Sequence, residues 1–280
     1  MKTLVVQSFR TNDVPAWIGR CLVSVKAWAD LRGYDYLLTD DSAFALCGPE
    51  YLARVGDNKR SITNLCRLEL LRRAHSDGYD RAVWVDADVF VCAPDRFTID
   101  HVGRYAFARE TFIYPAGGRR WIANSTVNNC TIVVRRGEPD LDFLIVATRH
   151  VAMHRQIRHN FQVGVNLVKG LHNSLDYELL DNVGMFGPAI VLALAAGNSY
   201  LLNAQARLHG TPVFAMNLCA ATDYWPSVSE SNACAAIDAL ERTAGGIVND
   251  WLDGATTGKL PPATQTTFEG PDVATLAVAA

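Results

Sequence analysis

The sequence predicts an α/β fold, a mostly parallel sheet flanked by helices, on three observations. Strand-like and helix-like segments alternate in the order β-α-β-α-β between Thr3 and Val91. The links between them are short, which suits parallel strands joined by right-handed crossovers. The segment Ala82–Val91, AVWVDADVFV, is a nearly continuous apolar run, the pattern of a strand covered on both faces.

Each element has its own signal. Thr3–Phe9 reads as the first strand. Pro15–Leu31 reads as a helix, because Trp17, Ile18, Cys21, Leu22, Val25 and Trp28 recur at helical spacing and Gly33 ends it. Tyr34–Thr39 is the second strand and runs into Asp40 and Asp41. Ile62–His75 is a second amphipathic helix, closed by the turn Ser76-Asp77-Gly78, and Ala82–Val91 is the third strand. Further on, Tyr105–Arg109 and Asn128–Val134 have strand character, while Phe112–Trp121, with Pro115, Gly117 and Gly118, reads as a loop. Leu141–His154 and Ala189–Ala196 read as helices and Tyr200–Leu202 as a short strand. From Thr256 onward the chain has few large apolar residues, so a poorly ordered tail over 256–280 is expected after one domain spanning 1–255.

Composition narrows the function classes. A chain of 280 residues, 49% hydrophobic and 20% charged, can bury one large core. A formal net charge of -3 gives no electrostatic reason to expect nucleic acid. No uninterrupted apolar stretch reaches membrane-spanning length. The start, MKTLVVQSFRTND, reads as a strand in place of a signal peptide. The seven cysteines are scattered, odd in number and without a CxxC pair, which suits core residues in a reducing, cytoplasmic compartment.

The chemistry concentrates at Asp86 and Asp88. Residues two apart on a strand point to the same side, so these acids are expected to converge. Two ionised carboxylates beside a core repel each other and lose hydration, and a divalent cation best explains their placement. The plainer alternative is a pair of strand-end acids facing solvent. Ligands of such sheets bind beyond the carboxyl ends of the strands, where Gln7, Ser8 and Asp40 also fall. Lys59, Arg60 and Arg67 are basic candidates for phosphate contacts, although Lys59 and Arg60 also suit a solvated helix start.

The segment NKRSITNLCRLELLRRAHSDGYDRAVWVDADVFV resembles the nucleotide-binding half of GT-A-type glycosyltransferases, retaining family 8-like and family 32-like branches included. In those enzymes a helix bearing a basic residue precedes a strand ending in an Asp-x-Asp motif that holds a divalent metal, usually manganese, on a nucleotide-sugar diphosphate. The resemblance implies Asp86-Ala87-Asp88 as the motif and Arg67 as the helix base with a catalytic role. Asn64 departs from the Asp that many relatives carry there. VNNCTIVVRRGEPDLDFL matches the segment lining the sugar and acceptor pocket through Asn128 and Asn129, and NVGMFGPAIVLAL matches the Gly-Pro helix start through Gly187 and Pro188. His209 falls where many of these enzymes place a third metal ligand. The implied cofactors are Mn²⁺ or Mg²⁺ and a UDP- or GDP-linked donor, with a glycan or small-molecule acceptor as partner. Residues 1–110 then form the nucleotide-binding half and 111–255 the sugar and acceptor half, with Phe112–Trp121 as a mobile lid.

Asp176, Glu178 and Asp181 are candidates for a catalytic or acceptor-facing carboxylate, with Asp181 placed first. Trp121, Trp225 and Trp251 are read as packing residues, with sugar stacking as the alternative. His150, His154 and His159 suggest a metal cluster at first sight, but Arg149, Arg155 and Arg158 surround them, so a solvated face is expected. Three other functions compete. A nucleotidyltransferase would carry a Gly-rich phosphate loop after the first strand, where QSFRTNDVP stands instead. A haloacid-dehalogenase-like phosphatase would place its Asp-x-Asp on the first strand. A non-catalytic nucleotide- or glycan-binding relative stays open because of Asn64.

Overall fold

The computed structural model of the chain describes residues 1–157, 159, 161–219, 228–243 and 264–272. Strands β1 (Thr3–Ser8), β2 (Asp35–Thr39) and β3 (Arg81–Val85) are parallel neighbours in the order β2-β1-β3. Strand β4 (Val89–Val91) leaves for another sheet, described below. Strands β5 (Tyr105–Gly117) and β6 (Arg120–Arg135) form a long antiparallel hairpin, and β6 also pairs antiparallel with β3. Strand β7 (Glu178–Leu180) extends the sheet parallel to β5. The second sheet runs β4-β9-β8, with β8 over Val183–Phe186 and β9 over Ala215–Leu218. Strand β10 (Thr264–Glu269) pairs antiparallel with the outer half of β6. The expected α/β class is observed, with the parallel strands nearest the N-terminus and β6 reversing direction beside them.

Helices cover both faces. Helix α1 (Ala16–Arg32) buries Ile18, Cys21, Val25, Trp28 and Ala29, one stripe at helical spacing. Gly33 ends it at φ 67, a left-handed position that favours glycine, and donates its N–H back to Asp30. The Trp28 ring lies 4.5 Å from Phe97, and its indole N–H donates to the Phe97 carbonyl at 3.0 Å. A 3₁₀ helix over Asp41–Cys47 and helix α2 (Pro49–Val55) follow β2; neither has a sequence signal long enough to read. Helix α3 (Lys59–Ser76) packs on the opposite face of the sheet beside α4 (Pro139–His154). Helix α5 (Val165–Leu175) precedes β7, and α6 (Pro188–Ala195) is buried along almost its whole length. It packs with α7 (Tyr200–His209) and α8 (Glu230–Thr243) into a separate apolar cluster around Trp121.

Four expectations are corrected. The run Ala82–Val91 is two strands in two sheets, broken at Asp86-Ala87-Asp88. Phe112–Trp121 lies in the β5–β6 hairpin, where its backbone is tied by cross-strand hydrogen bonds, so it forms no free lid. Tyr200–Leu202 opens a helix, since the following Ala204–Leu208 are good helix formers. Within the expected tail, Thr264–Glu269 is a strand: its Thr-rich alternation suits a pleated edge. Trp225, Trp251, Arg158 and residues 256–263 and 273–280 of the expected tail lie outside the described residues. Among the described residues no helix is long and apolar enough to cross a membrane.

Candidate functional site

Because β2, β1 and β3 are parallel, their carboxyl ends share one edge of the sheet. Gln7, Asp40 and Asp86 sit there. Gln7 is fully buried; its amide donates to the Asp86 carbonyl at 3.1 Å, and its Oε1 accepts from the Tyr36 hydroxyl at 2.9 Å. The structure therefore makes Gln7 a brace for the end of β3, with both amide ends engaged by the protein. Ser8 stands half-buried at the last position of β1. Asp40 caps the 3₁₀ helix by accepting from the Ser42 N–H at 2.9 Å, and hydrogen bonding from the Ser42 side chain and N–H holds its carboxyl below the usual range.

Asp86, Ala87 and Asp88 form a turn between the sheets, closed by a bond from the Val89 N–H to the Asp86 carbonyl at 3.1 Å. The acids converge through this turn and not through strand alternation. The Asp86 N–H donates to the Cys130 carbonyl at 2.7 Å, and Leu218 donates to the Asp88 carbonyl at 2.8 Å, so each end is pinned to a different sheet. Asp86 Oδ1 accepts from the Trp84 indole at 2.6 Å and faces the Arg67 guanidinium at 3.2 Å. Burial pushes the Asp86 carboxyl up, while Arg67 and Trp84 oppose the shift. Asp88 Oδ1 accepts from the Asn217 amide at 2.5 Å. Burial, followed by the Asp86 charge, pushes Asp88 up to about 7.

Arg67 is 6% exposed. It donates to the Asn129 carbonyl at 2.6 Å and lies 5.2 Å from the Trp84 ring. Asn64 is one helical turn away and accepts from the Asn129 amide at 3.1 Å. Asn128 donates to Glu110 at 2.5 Å and accepts from the Cys130 N–H at 2.8 Å. Glu110 in turn pairs with Lys169 at 3.0 Å. A register shift makes this possible: Phe107 faces Ile132, but Ala108 faces Asn128, so Asn129–Thr131 bulge out of the hairpin toward α3 and the turn. The structure thus gathers Arg67, Asp86, Ala87, Asp88, Asn128 and Asn129 at one place, together with Gln7.

The other candidates are placed differently. Lys59 is exposed and pairs with Asp41 at 2.7 Å, and Arg60 lies over the Phe161 ring. Asp181, a third exposed, pairs with the buried Arg109 at 3.1 Å. Glu178 is spent on the backbone N–H groups of Gly103 and Arg104, and Asp176 ends α5 in a left-handed conformation. Gly187 precedes Pro188 at the start of α6, and a Cβ there would meet the Phe112 ring at 2.5 Å. Trp121 is fully buried, as a packing residue.

His209 is corrected as a metal ligand. It is fully buried, its Nε2 donates to the Asp181 carbonyl at 2.7 Å, and its Nδ1 lies 3.0 Å from Thr111 Oγ1. A carbonyl only accepts, so Nε2 carries the proton and Nδ1 takes the Thr111 hydroxyl. Neither nitrogen is left for a cation. Among the described residues no group of three or more His, Cys, Asp or Glu is disposed to hold a metal. The pair Asp86 and Asp88 is what remains of the expected ligand set. It fits a hard cation that keeps open positions: the second carboxylate oxygen of each acid bonds to no other residue among the described ones. Asn217 carries no sequence signal, because its partner lies 129 positions away; Gln7 is expected at the sheet edge, but its bond to Asp86, 79 positions on, is not.

No protein-family model matches the chain, and comparison with curated proteins gives no match. Among solved structures the chain is similar to a glycosyltransferase involved in the glycosylation of the major capsid of PBCV-1. The TM-score is 0.50 at 9% identity, over 85% of this chain and 98% of that one. A second similar structure is the glycosyltransferase GlyE of Streptococcus pneumoniae TIGR4, with a TM-score of 0.40 at 14% identity. That match covers 94% of this chain and 66% of that one. At these identities the first likeness establishes the fold, a GT-A-like, Rossmann-like α/β arrangement seen in a glycosyltransferase.

Proposed function

We propose that the protein is a metal-dependent glycosyltransferase of the hexosyltransferase type. It moves a sugar from a nucleoside-diphosphate donor, UDP- or GDP-linked, to a glycan or small-molecule acceptor. The observation that carries this reading is the Asp86–Asp88 turn at the carboxyl edge of the parallel strands, with the Arg67 guanidinium against it. The fold shared with a solved glycosyltransferase supports it.

Asp86 and Asp88 would hold Mn²⁺ or Mg²⁺, which when bound supplies positive charge to a departing diphosphate. The remaining work is done by the chain. Arg67 opposes protonation of Asp86 and fixes one of its oxygens. Asn217 fixes one oxygen of Asp88, and Gln7 fixes the carbonyl at the start of the turn. Asp181, kept beside Arg109, is the carboxylate assigned to the acceptor side. Ser8 and Asp40 flank the nucleoside end of the same sheet edge. The seven free cysteines suit a reducing, cytoplasmic setting.

The test is calorimetric titration of UDP and GDP, with and without Mn²⁺, on the native protein and on Asp88→Asn. Binding that requires the cation and is lost in the variant is the expected result, and the preferred base names the donor. Absence of cation-dependent binding of either nucleotide would overturn the reading.

A further inference from the structure

We propose that His150 and His154 form a second metal site, selective for late first-row divalent ions such as Cu²⁺, Ni²⁺ and Zn²⁺. Both lie on α4, four residues apart, so they share one helix face. Both are exposed, and their ring centroids are 4.6 Å apart. Two imidazoles at this spacing can chelate one ion, the arrangement that also places two histidines on a single zinc in helical metal sites. Imidazole selects copper, nickel and zinc over magnesium, so this site differs in chemistry from the carboxylate pair of Asp86 and Asp88.

The sequence argues against a cation here because arginines surround the histidines. The structure engages Arg149 elsewhere. The Arg149 guanidinium turns away toward α3, donating to Glu69 at 2.6 Å and to the Cys47 carbonyl at 2.8 Å. Arg155 is the residue after the helix, with an extended backbone at φ -119 and ψ 155. Its carbonyl accepts from Arg54 at 3.0 Å, which fixes that exit. His154 occupies the last turn, where the negative end of the helix dipole favours bound positive charge. With two protein donors, water completes the coordination. The bound ion pins the last turn of α4.

The test is titration of the full chain with Cu²⁺, followed by calorimetry and by electron paramagnetic resonance, against His150→Gln, His154→Gln and the double variant. The native protein is expected to show one species with two nitrogen ligands. Each single variant is expected to lose one nitrogen and to bind about tenfold or more weakly, because the second donor no longer acts intramolecularly. In the double variant this species should vanish while far-UV circular dichroism stays native, as exposed helical positions tolerate glutamine. Ni²⁺ should raise the melting temperature of the native protein and not that of the double variant. A two-nitrogen copper signal of equal affinity in the double variant, or no such signal in the native protein, would overturn the proposal. Neither result depends on nucleotide binding, so the proposal stands or falls apart from the donor site.

Discussion

Removing the Arg67 guanidinium strips three groups of their partner at once: the Asn129 carbonyl, the Asp86 carboxylate and the Trp84 face. Arg67→Met is therefore expected to cost about 3 kcal/mol or more, since breaking a buried ion pair leaves a charge uncompensated. Chemical denaturation would read this directly, and a loss under 1 kcal/mol, about the worth of one ordinary hydrogen bond, would show that Asp86 finds another partner. Asn217→Ala frees the buried Asp88 Oδ1, so Mn²⁺-dependent nucleotide affinity should fall by about tenfold, with a stability loss of about 1–3 kcal/mol from the unpaired acceptor. The acids were legible because charge inside an apolar strand is conspicuous in the sequence, and Arg67 through the family resemblance of its helix. Asn217 was not, since an uncharged amide advertises nothing until the fold brings its partner near; Gln7 was placed at the strand end, but its brace on Asp86 was hidden in the same way. His209 was misread for the opposite reason: its position was right for a ligand, but its two nitrogens belong to Asp181 and Thr111. Two other histidines set a pH dependence. Burial lowers His75 and His172 below the usual 6.5, so unfolding takes up protons before the native state does. Stability is full above the unfolded value and is lost as pH falls through the folded values. The slope of stability against pH below 6.5 should shrink in His75→Gln, and an unchanged slope would place the effect elsewhere.

Elements were most readable where apolar spacing was strict. Helix α1 announces itself through Ile18, Cys21, Val25 and Trp28, and the same residues fill its contact with the sheet. Trp28→Ala should cost about 3–5 kcal/mol, as a large ring is deleted from a closed site, and thermal or urea unfolding would measure it. The 3₁₀ helix, α2 and the short strands β7, β8 and β9 were hidden because three to seven residues carry too little pattern to separate helix from strand. Phe112–Trp121 was misread because its glycines and proline look like loop chemistry, whereas cross-strand pairing with β6 and β10 overrides them. The approach of α5 to α3 rests on Gly164, where a Cβ would fall 2.2 Å from the Asn64 amide. Gly164→Ala should break the Asn64–Asn129 hydrogen bond and lose about 1 kcal/mol. In an Asn64→Ala background most of that loss should disappear, and a double-mutant cycle showing additive effects would refute the contact.

For the whole molecule, closure depends on residues far apart in the chain. Strand β10 covers β6, the Gly270 N–H donates to the Arg119 carbonyl, and the Pro271 carbonyl accepts from the Trp121 indole at 2.9 Å. Ending the chain after residue 263 should expose Trp121, lower the melting temperature and shift tryptophan emission to the red. An unchanged melt would mean that β10 is dispensable. The α/β class was legible as a whole because alternation and short links are long-range patterns repeated along the chain. The partition into two sheets was not, because nothing in AVWVDADVFV tells a continuous strand from one that changes sheet. That change of sheet gives the Asp86–Asp88 turn a mechanical character. One acid is tied to the central sheet and the other to β9, so anything gripping both acts as a rivet across a seam. Occupancy of the turn would then be felt as stiffness on both sides of it, and amide exchange in β3 and β9 should slow together when the rivet is in place.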